Sequence, residues 1–344
     1  MEVYEIWQCI LLLLCIGYGY LLTCRYMIHV HHKRHISKWA VLFIWTLFTY
    51  LMQRICSGFI YLWLQIMVVA IVLEVLYIVC KKRWIKYRRL HRSGKLLLSL
   101  SIIVVIFNFY QMHKVVKTSY ELNSYKIDHL HIIQISDVYI KTSDDVSSIT
   151  NKIDAARADM VVLDGNIFSK EASREVLVEV MDGLKKTHHP LGMYYILGDS
   201  EPYFMHQQGI KNAFLESDIH ILEDEITTVK NITIIGRKSI GKKQNQTRLD
   251  METLLRNVDR ENYTIVLDHQ PMDLYENAVL GIDLQLSGYT KGGDAYPLES
   301  IQAPVSKLPY GMKKIQNFTA ITTSGMDTSK KTGAPNEYID IKIH

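Results

Sequence analysis

The sequence predicts an N-terminal four-helix transmembrane region followed by an α/β domain, an αββα sandwich of two mixed sheets. Three observations predict it. Long apolar runs are confined to the residues before Lys117. Charge divides at the same place: residues 1–119 hold 15 Lys+Arg against 3 Asp+Glu, a net of +12, and the remainder carries a net of −8. Beyond Tyr120, short apolar runs alternate with amphipathic stretches, the texture of a domain of about 225 residues with one sizeable core. The domains are therefore read as 1–117 and 118–344.

The apolar runs give helices at about 6–22, 39–55, 59–80 and 96–112. A crossing needs roughly 20 mostly apolar residues, so the second and fourth are short unless flanking residues such as Arg54 snorkel to the interface. Loop charge supports four crossings. The loop 25–38 carries Arg25, Lys33, Arg34 and Lys38, and the loop 81–95 carries eight Lys and Arg residues. Both belong on the cytoplasmic side, which makes the second segment span and delivers the C-terminal domain to the other face. The expected location is the plasma membrane, with the domain extracytoplasmic. A cleaved signal peptide fits poorly, because Glu2 and Glu5 make the extreme N-terminus acidic. Glu74 is the one charge inside the third run, where snorkelling or a helix–helix hydrogen bond accounts for it.

The basic excess sits in membrane-flanking loops, and the acidic domain would repel a polyanion, so nucleic acid is excluded as a partner. All five cysteines (Cys9, Cys15, Cys24, Cys56, Cys80) lie in or beside the apolar runs, so the domain has neither a disulfide framework nor a cysteine metal site.

In the domain, His131–Ser136 reads as a buried strand, Asp145–Arg157 as a helix and Met160–Leu163 as a second strand. Glu171–Lys186 reads as a helix through Ala172, Val176, Val180 and Leu184, and Met193–Leu197 as a third strand. Two successive crossovers imply a parallel, buried sheet. After Ser217 the strands Ile226–Val229, Ile232–Ile235, Thr264–Leu267, Leu284–Leu286, Phe318–Thr322 and Tyr338–Ile343 follow with few helices between them, a second mixed sheet. Gly236–Gln246 and Ser324–Pro335 read as surface loops.

Ligands in open α/β sheets bind beyond the C-terminal strand ends. Those ends read Ser136-Asp137-Val138-Tyr139, Asp164-Gly165-Asn166, Gly198-Asp199-Ser200-Glu201, Asp268-His269-Gln270-Pro271 and Ser287-Gly288-Tyr289-Thr290-Lys291. In this order and spacing the series resembles the calcineurin-like metallophosphoesterases, closest to their membrane-anchored bacterial branch. The resemblance covers about residues 125–344.

That family's chemistry uses two neighbouring divalent metals that bind phosphate and an attacking hydroxide. Its pattern is Asp-x-His, Gly-Asp, Gly-Asn-His-Asp, a His before Pro, then Gly-His-x-His. Here Asp137 and His269 match. Tyr139 stands at the first His, Asn166 at the bridging Asp, Asp199 at the Asn, and Ser200 at the catalytic His. Tyr289 and Lys291 stand at the last two His positions. The first metal has then lost two imidazoles, and Lys291, which has no lone pair to donate, is expected to pair with Asp137 in its stead or to point to solvent. The second metal retains Asn166, Asp199 and His269 as a candidate single site for Zn²⁺, Mn²⁺ or Mg²⁺. Asp164, Asp268 and Glu201 are read as capping loops or helices, Glu201 at the start of a helix.

The resemblance thus implies hydrolase ancestry without catalytic residues. The expectation is a membrane-anchored pseudo-phosphoesterase, a binding or scaffold module with no cofactor. Its partners would be the lipid bilayer, an anionic or phosphate ligand and an envelope protein. The alternative is a weak single-metal phosphoesterase acting on a phosphodiester or lipid head-group near the membrane.

Overall fold

The structure is a computed structural model. It describes residues 19, 47, 59–80, 95–142, 146–240, 248–290, 308–327 and 335–344. The chain divides into two compact units, Met1–His113 with Ser329–Gly333, and Lys114–Thr328 with Ala334–His344.

In the first unit, α1 (Phe59–Cys80) and α2 (Lys95–His113) lie where the third and fourth apolar segments were read, and they pack together. Val68, Ile71, Val72, Val75 and Val79 of α1 and Ile102, Ile106 and Phe107 of α2 are exposed. Among the described residues, no helix is long and apolar enough to cross a membrane. The four-span expectation is therefore not carried by the described helices; of the segments 6–22 and 39–55 only residues 19 and 47 are described, and the side chain of Glu74 lies outside the described residues.

The second unit holds β1 (Val115–Leu122), β2 (Leu130–Ile135), α3 (Val146–Ala156), β3 (Met160–Asp164), α4 (Arg174–Leu184) and β4 (Met193–Ile196). A 3-10 turn (Tyr203–His206), α5 (Gln208–Leu215), β5 (Ile219–Leu222), β6 (Glu225–Val229) and β7 (Ile232–Gly236) follow. Then come α6 (Met251–Leu255), β8 (Tyr263–Leu267), α7 (Leu274–Val279), β9 (Leu284–Ser287), β10 (Gly311–Ile315), β11 (Phe318–Thr322) and β12 (Asn336–Ile343).

The strands form two six-stranded sheets, ordered β1-β12-β2-β3-β4-β5 and β10-β11-β9-β8-β7-β6. Both are mixed. In the first, β12 runs antiparallel to β2 while β2 to β5 are parallel. In the second, β7, β8, β9 and β11 are parallel and the edges β6 and β10 antiparallel.

Alternation along the strands builds three apolar layers. Ile132 and Val162 face the inter-sheet layer with Ile234, Ile265, Leu286 and Ile341. Ile133, Ile135, Val161 and Leu163 face the other way, onto Ile149 and Ile153 of α3, Leu177 and Val180 of α4 and Phe214 of α5. Ile235 and Val266 meet Met251, Leu254 and Leu274 beneath the second sheet. The order is helix, sheet, sheet, helix.

Local chemistry moves some boundaries. The α4 helix starts at Arg174 rather than Glu171, because the Ser173 hydroxyl accepts a hydrogen bond from Val176 N and caps the first turn. Three strands, β1, β5 and β10, were not read from sequence, and β12, read into the second sheet, instead pairs β1 and β2 in the first. Strand β1 is an edge strand with a half-buried pattern, so it has little hydropathy signal.

Candidate functional site

The C-terminal ends of β2, β3, β8 and β9 meet at one buried cluster. Asp137 is fully buried just beyond β2. Four donors approach its carboxylate: the Asn166 amide (Nδ2–Oδ1 3.0 Å), the Tyr139 hydroxyl (3.2 Å to Oδ1), Tyr289 N (3.1 Å to Oδ2) and Ser136 Oγ (3.0 Å to Oδ2). Ser136 divides its single proton between that oxygen and the Asp164 carbonyl, 2.5 Å away. Two glycines make the approach possible. A Cβ on Gly288 would lie 2.0 Å from Ser136 Oγ, and one on Gly325 2.5 Å from Asp137 Cβ.

Asn166 is the hub. Its Nδ2 lies 3.0 Å from Asp137 Oδ1, 3.1 Å from the Tyr139 hydroxyl and 2.8 Å from His269 Nε2. Its Oδ1 accepts from Ser200 N at 2.8 Å, which fixes the amide with nitrogen toward the cluster. Its backbone carbonyl accepts from both Val138 N and Tyr139 N.

His269, also buried, places Nδ1 2.8 Å from the Asp164 carbonyl and Nε2 against the Asn166 amide. Burial lowers its pKa, but Asp137, at 3.9 Å, and Asp164 outweigh burial and lift it to about 9. The hydrogen bonds set the opposing demand. With Nδ1–H donating to a carbonyl, Nε2 must accept from the amide, so this arrangement holds the neutral tautomer. Burial likewise raises Asp164, against hydrogen bonds from His269 and Gln134, and raises Tyr139, reinforced by the Asp137 charge.

The remaining residues lie around this cluster. Tyr289 sets its ring edge-on to His269, with centroids 5.6 Å apart. Asp199 takes a hydrogen bond from Ser239 Oγ at 2.5 Å, and its buried Oδ2 has no hydrogen-bond partner among the described residues. Ser200 reaches the cluster through its backbone N–H and lays its hydroxyl beside Tyr139. Lys291 lies outside the described residues, and with it the expected pairing to Asp137.

Glu201 does not start a helix. It is buried, and its carboxylate accepts from Ile167 N (2.8 Å) and Phe168 N (3.0 Å), holding the loop that carries Asn166. Burial raises its pKa to about 7 against the pull of Tyr195 and those two amides. Sequence reading also missed Ser136, Gln134 and Ser239. Only their places at strand ends could have signalled them. Asp268 does cap its turn, through Gln270 N, and pairs with Arg248 at 2.9 Å.

The donor set does not fit a metal pair. Three of the expected ligand positions carry Tyr139, Tyr289 and Lys291. Asp137's lone pairs already have donors, and Asn166 turns its nitrogen, not its oxygen, to His269. Among the described residues, no group of three or more His, Cys, Asp or Glu is placed to hold a metal ion. At the candidate single site, Asn166 turns its Oδ1 to Ser200 N, and Asp199 engages Ser239 through Oδ1 while its Oδ2 meets no hydrogen-bond donor among the described residues.

Comparison with known proteins agrees with the resemblance at the level of the family name. The chain is 27% identical over 209 residues to an uncharacterized metallophosphoesterase of Helicobacter pylori strain J99, covering 58% of this chain and 55% of that protein. It is 26% identical over 175 residues to one from Aquifex aeolicus, covering 48% of this chain and 64% of that one. A Bacillus subtilis protein of the same description is 23% identical over 248 residues, 67% of this chain and 79% of that one. The chain is similar to metallophosphoesterases. It spans little more than half the length of the Helicobacter relative. Among solved structures, the chain is similar to a Thermus thermophilus protein (TM-score 0.41, 12% identity, 58% of this chain and 91% of that one). A dimetal phosphatase of Danio rerio gives a TM-score of 0.36 at 13% identity, over 57% of this chain and 87% of that one. No family model matches the chain.

Proposed function

We propose that this chain is a membrane-anchored, metallophosphoesterase-like protein whose centre is catalytically inactive and whose C-terminal domain serves as a binding or scaffold module. One observation carries the reading: the Asn166 amide nitrogen sits among Asp137 Oδ1, the Tyr139 hydroxyl and His269 Nε2, at 3.0, 3.1 and 2.8 Å. Phosphoryl transfer needs concentrated positive charge on the non-bridging oxygens and an activated nucleophile. The described centre offers buried carboxylates, one imidazole and no general acid at Ser200. Its charge would repel a phosphate unless Lys291 supplies the cation, so an anionic ligand depends on that residue. The exposed apolar faces of α1 and α2 support a bilayer as the partner of the first unit. A scaffold role would add an envelope protein as a partner of the second.

Elemental analysis of the full chain in detergent, after incubation with Mn²⁺, Zn²⁺ and Mg²⁺, tests this alongside hydrolysis of bis(p-nitrophenyl) phosphate. The expected result is no stoichiometric metal and no hydrolysis above the buffer rate. Two ions per chain, with hydrolysis abolished by His269→Ala, would overturn it. The unpartnered Asp199 Oδ2 favours a second reading, a single cation with weak phosphodiesterase activity. One ion per chain, lost in Asp199→Asn, would select that reading.

A further inference from the structure

The Asn166 side chain is held as a cation would be held. Three lone pairs, from a carboxylate, a phenol and an imidazole, converge on Nδ2, while the other end of the amide is pinned by Ser200 N. The residue cannot swing away. Its backbone sits at φ 53°, and its carbonyl accepts two N–H groups. Glu201 ties down the next two amides, and Gly198 is bare where a Cβ would lie 2.4 Å from Asn166 Oδ1. An amide NH₂ brings two protons and a partial positive charge to these three acceptors, and His269 Nε2 depends on it most, since Asp137 has other donors as well.

We infer that the Asn166 amide is a built-in substitute for a bound cation, and that a carboxylate at this one position makes the stability of the domain depend on a divalent metal. The inference rests on the native centre being metal-free. Asn166→Asp replaces a donor with an acceptor facing three acceptors. The new charge is then buried beside Asp137, and among the described residues only protonation of His269 could offset it, at the cost of the neutral tautomer the native hydrogen bonds hold. Carboxylates with an imidazole form a donor set that Mn²⁺ and Zn²⁺ accept.

The test is thermal unfolding of the full chain in detergent, with EDTA and with each of Mn²⁺, Zn²⁺ and Mg²⁺. The expected result is a native chain indifferent to metal and an Asn166→Asp chain that melts lower in EDTA. Saturating Mn²⁺ or Zn²⁺ should restore about 5–10 °C to the variant, the shift expected for a ligand at roughly 100 times its Kd on a domain this size. If the variant does not fold in EDTA, recovery of folded protein with metal is the readout. Asn166→Leu, which has no lone pair to offer, should be destabilised equally in both conditions. An Asn166→Asp chain that gains nothing from any of the three metals, beside an indifferent native chain, overturns the inference alone. So does a metal response in Asn166→Leu. A native chain stabilised by metal removes the metal-free reading and the inference together.

Discussion

Asp137, Tyr139, Asn166 and Tyr289 all hold positive φ, at 51°, 60°, 53° and 63°. Each such residue costs on the order of 1 kcal/mol, least for Asn and Asp, whose side chains bond locally. The surroundings over-determine them, because every one makes a hydrogen bond within the cluster. Gly165, at φ 73°, allows the turn beneath Asn166, and an added Cβ would lie 2.4 Å from His269 Nδ1. Gly165→Ala is therefore expected to destabilise the domain by about 3 kcal/mol, from left-handed strain plus overlap with an immobile ring. Gly209 gives the opposite case. It lies in α5, where an added Cβ would meet nothing within 4 Å, so Gly209→Ala should stabilise by about 0.5–1 kcal/mol. Urea denaturation of the two variants beside the native chain reads both signs.

Between elements, charge ties together pieces that packing leaves exposed. Glu223, just past β5, takes His206 of the 3-10 turn at 2.8 Å and Lys211 of α5 at 3.0 Å. Burial pushes its pKa up, but the two partners outweigh burial and bring it from 4.5 to about 2. A depressed carboxylate stabilises the fold above its unfolded pKa and loses that contribution as pH falls through the folded one. Partial exposure reduces the contribution to about 2 kcal/mol. Glu223→Gln should accordingly unfold at lower urea than the native chain at pH 7, and the gap should narrow between pH 4.5 and pH 2. A gap that widens on acidification would show that the pair contributes nothing. Asp340 of β12 has the same sign: burial raises it, and Lys117 of β1 and His131 of β2 bring it below its ordinary value. That one carboxylate bonds both neighbours of β12, the strand that joins β1 to the rest of its sheet.

At the scale of the whole molecule, the two units differ in what they leave exposed. Apolar side chains are buried throughout the second unit's three layers, whereas on α1 and α2 they face outward. Water disfavours such a surface, and a bilayer would cover it. On the proposed membrane anchoring, the loop charges would put the domain outside the cytoplasm. Tyr125, 83% exposed, offers a reporter. In intact cells, a membrane-impermeant maleimide should label Tyr125→Cys above the background set by the five native cysteines. Labelling only after permeabilisation would reverse the topology.

Sequence periodicity and strand-end motifs were enough to read the helix–sheet–sheet–helix order, because buried parallel strands such as Ile132–Ile135 and Met160–Leu163 are continuous apolar runs. The family resemblance of the strand-end motifs grouped Asp137, Tyr139, Asn166 and His269; the first three follow the adjacent parallel strands β2 and β3, whereas His269 follows β8 of the other sheet. Strand β1 was not legible: its partner β12 comes from the other end of the domain, and an edge strand such as Val115–Leu122 carries a weak pattern. The direction of the Asn166 amide was not legible either. One side chain can present oxygen or nitrogen with equal ease. Only the tertiary position of Ser200 N–H, opposite Asp137 and His269, turns the nitrogen inward and gives the centre a hydrogen-bonded hub.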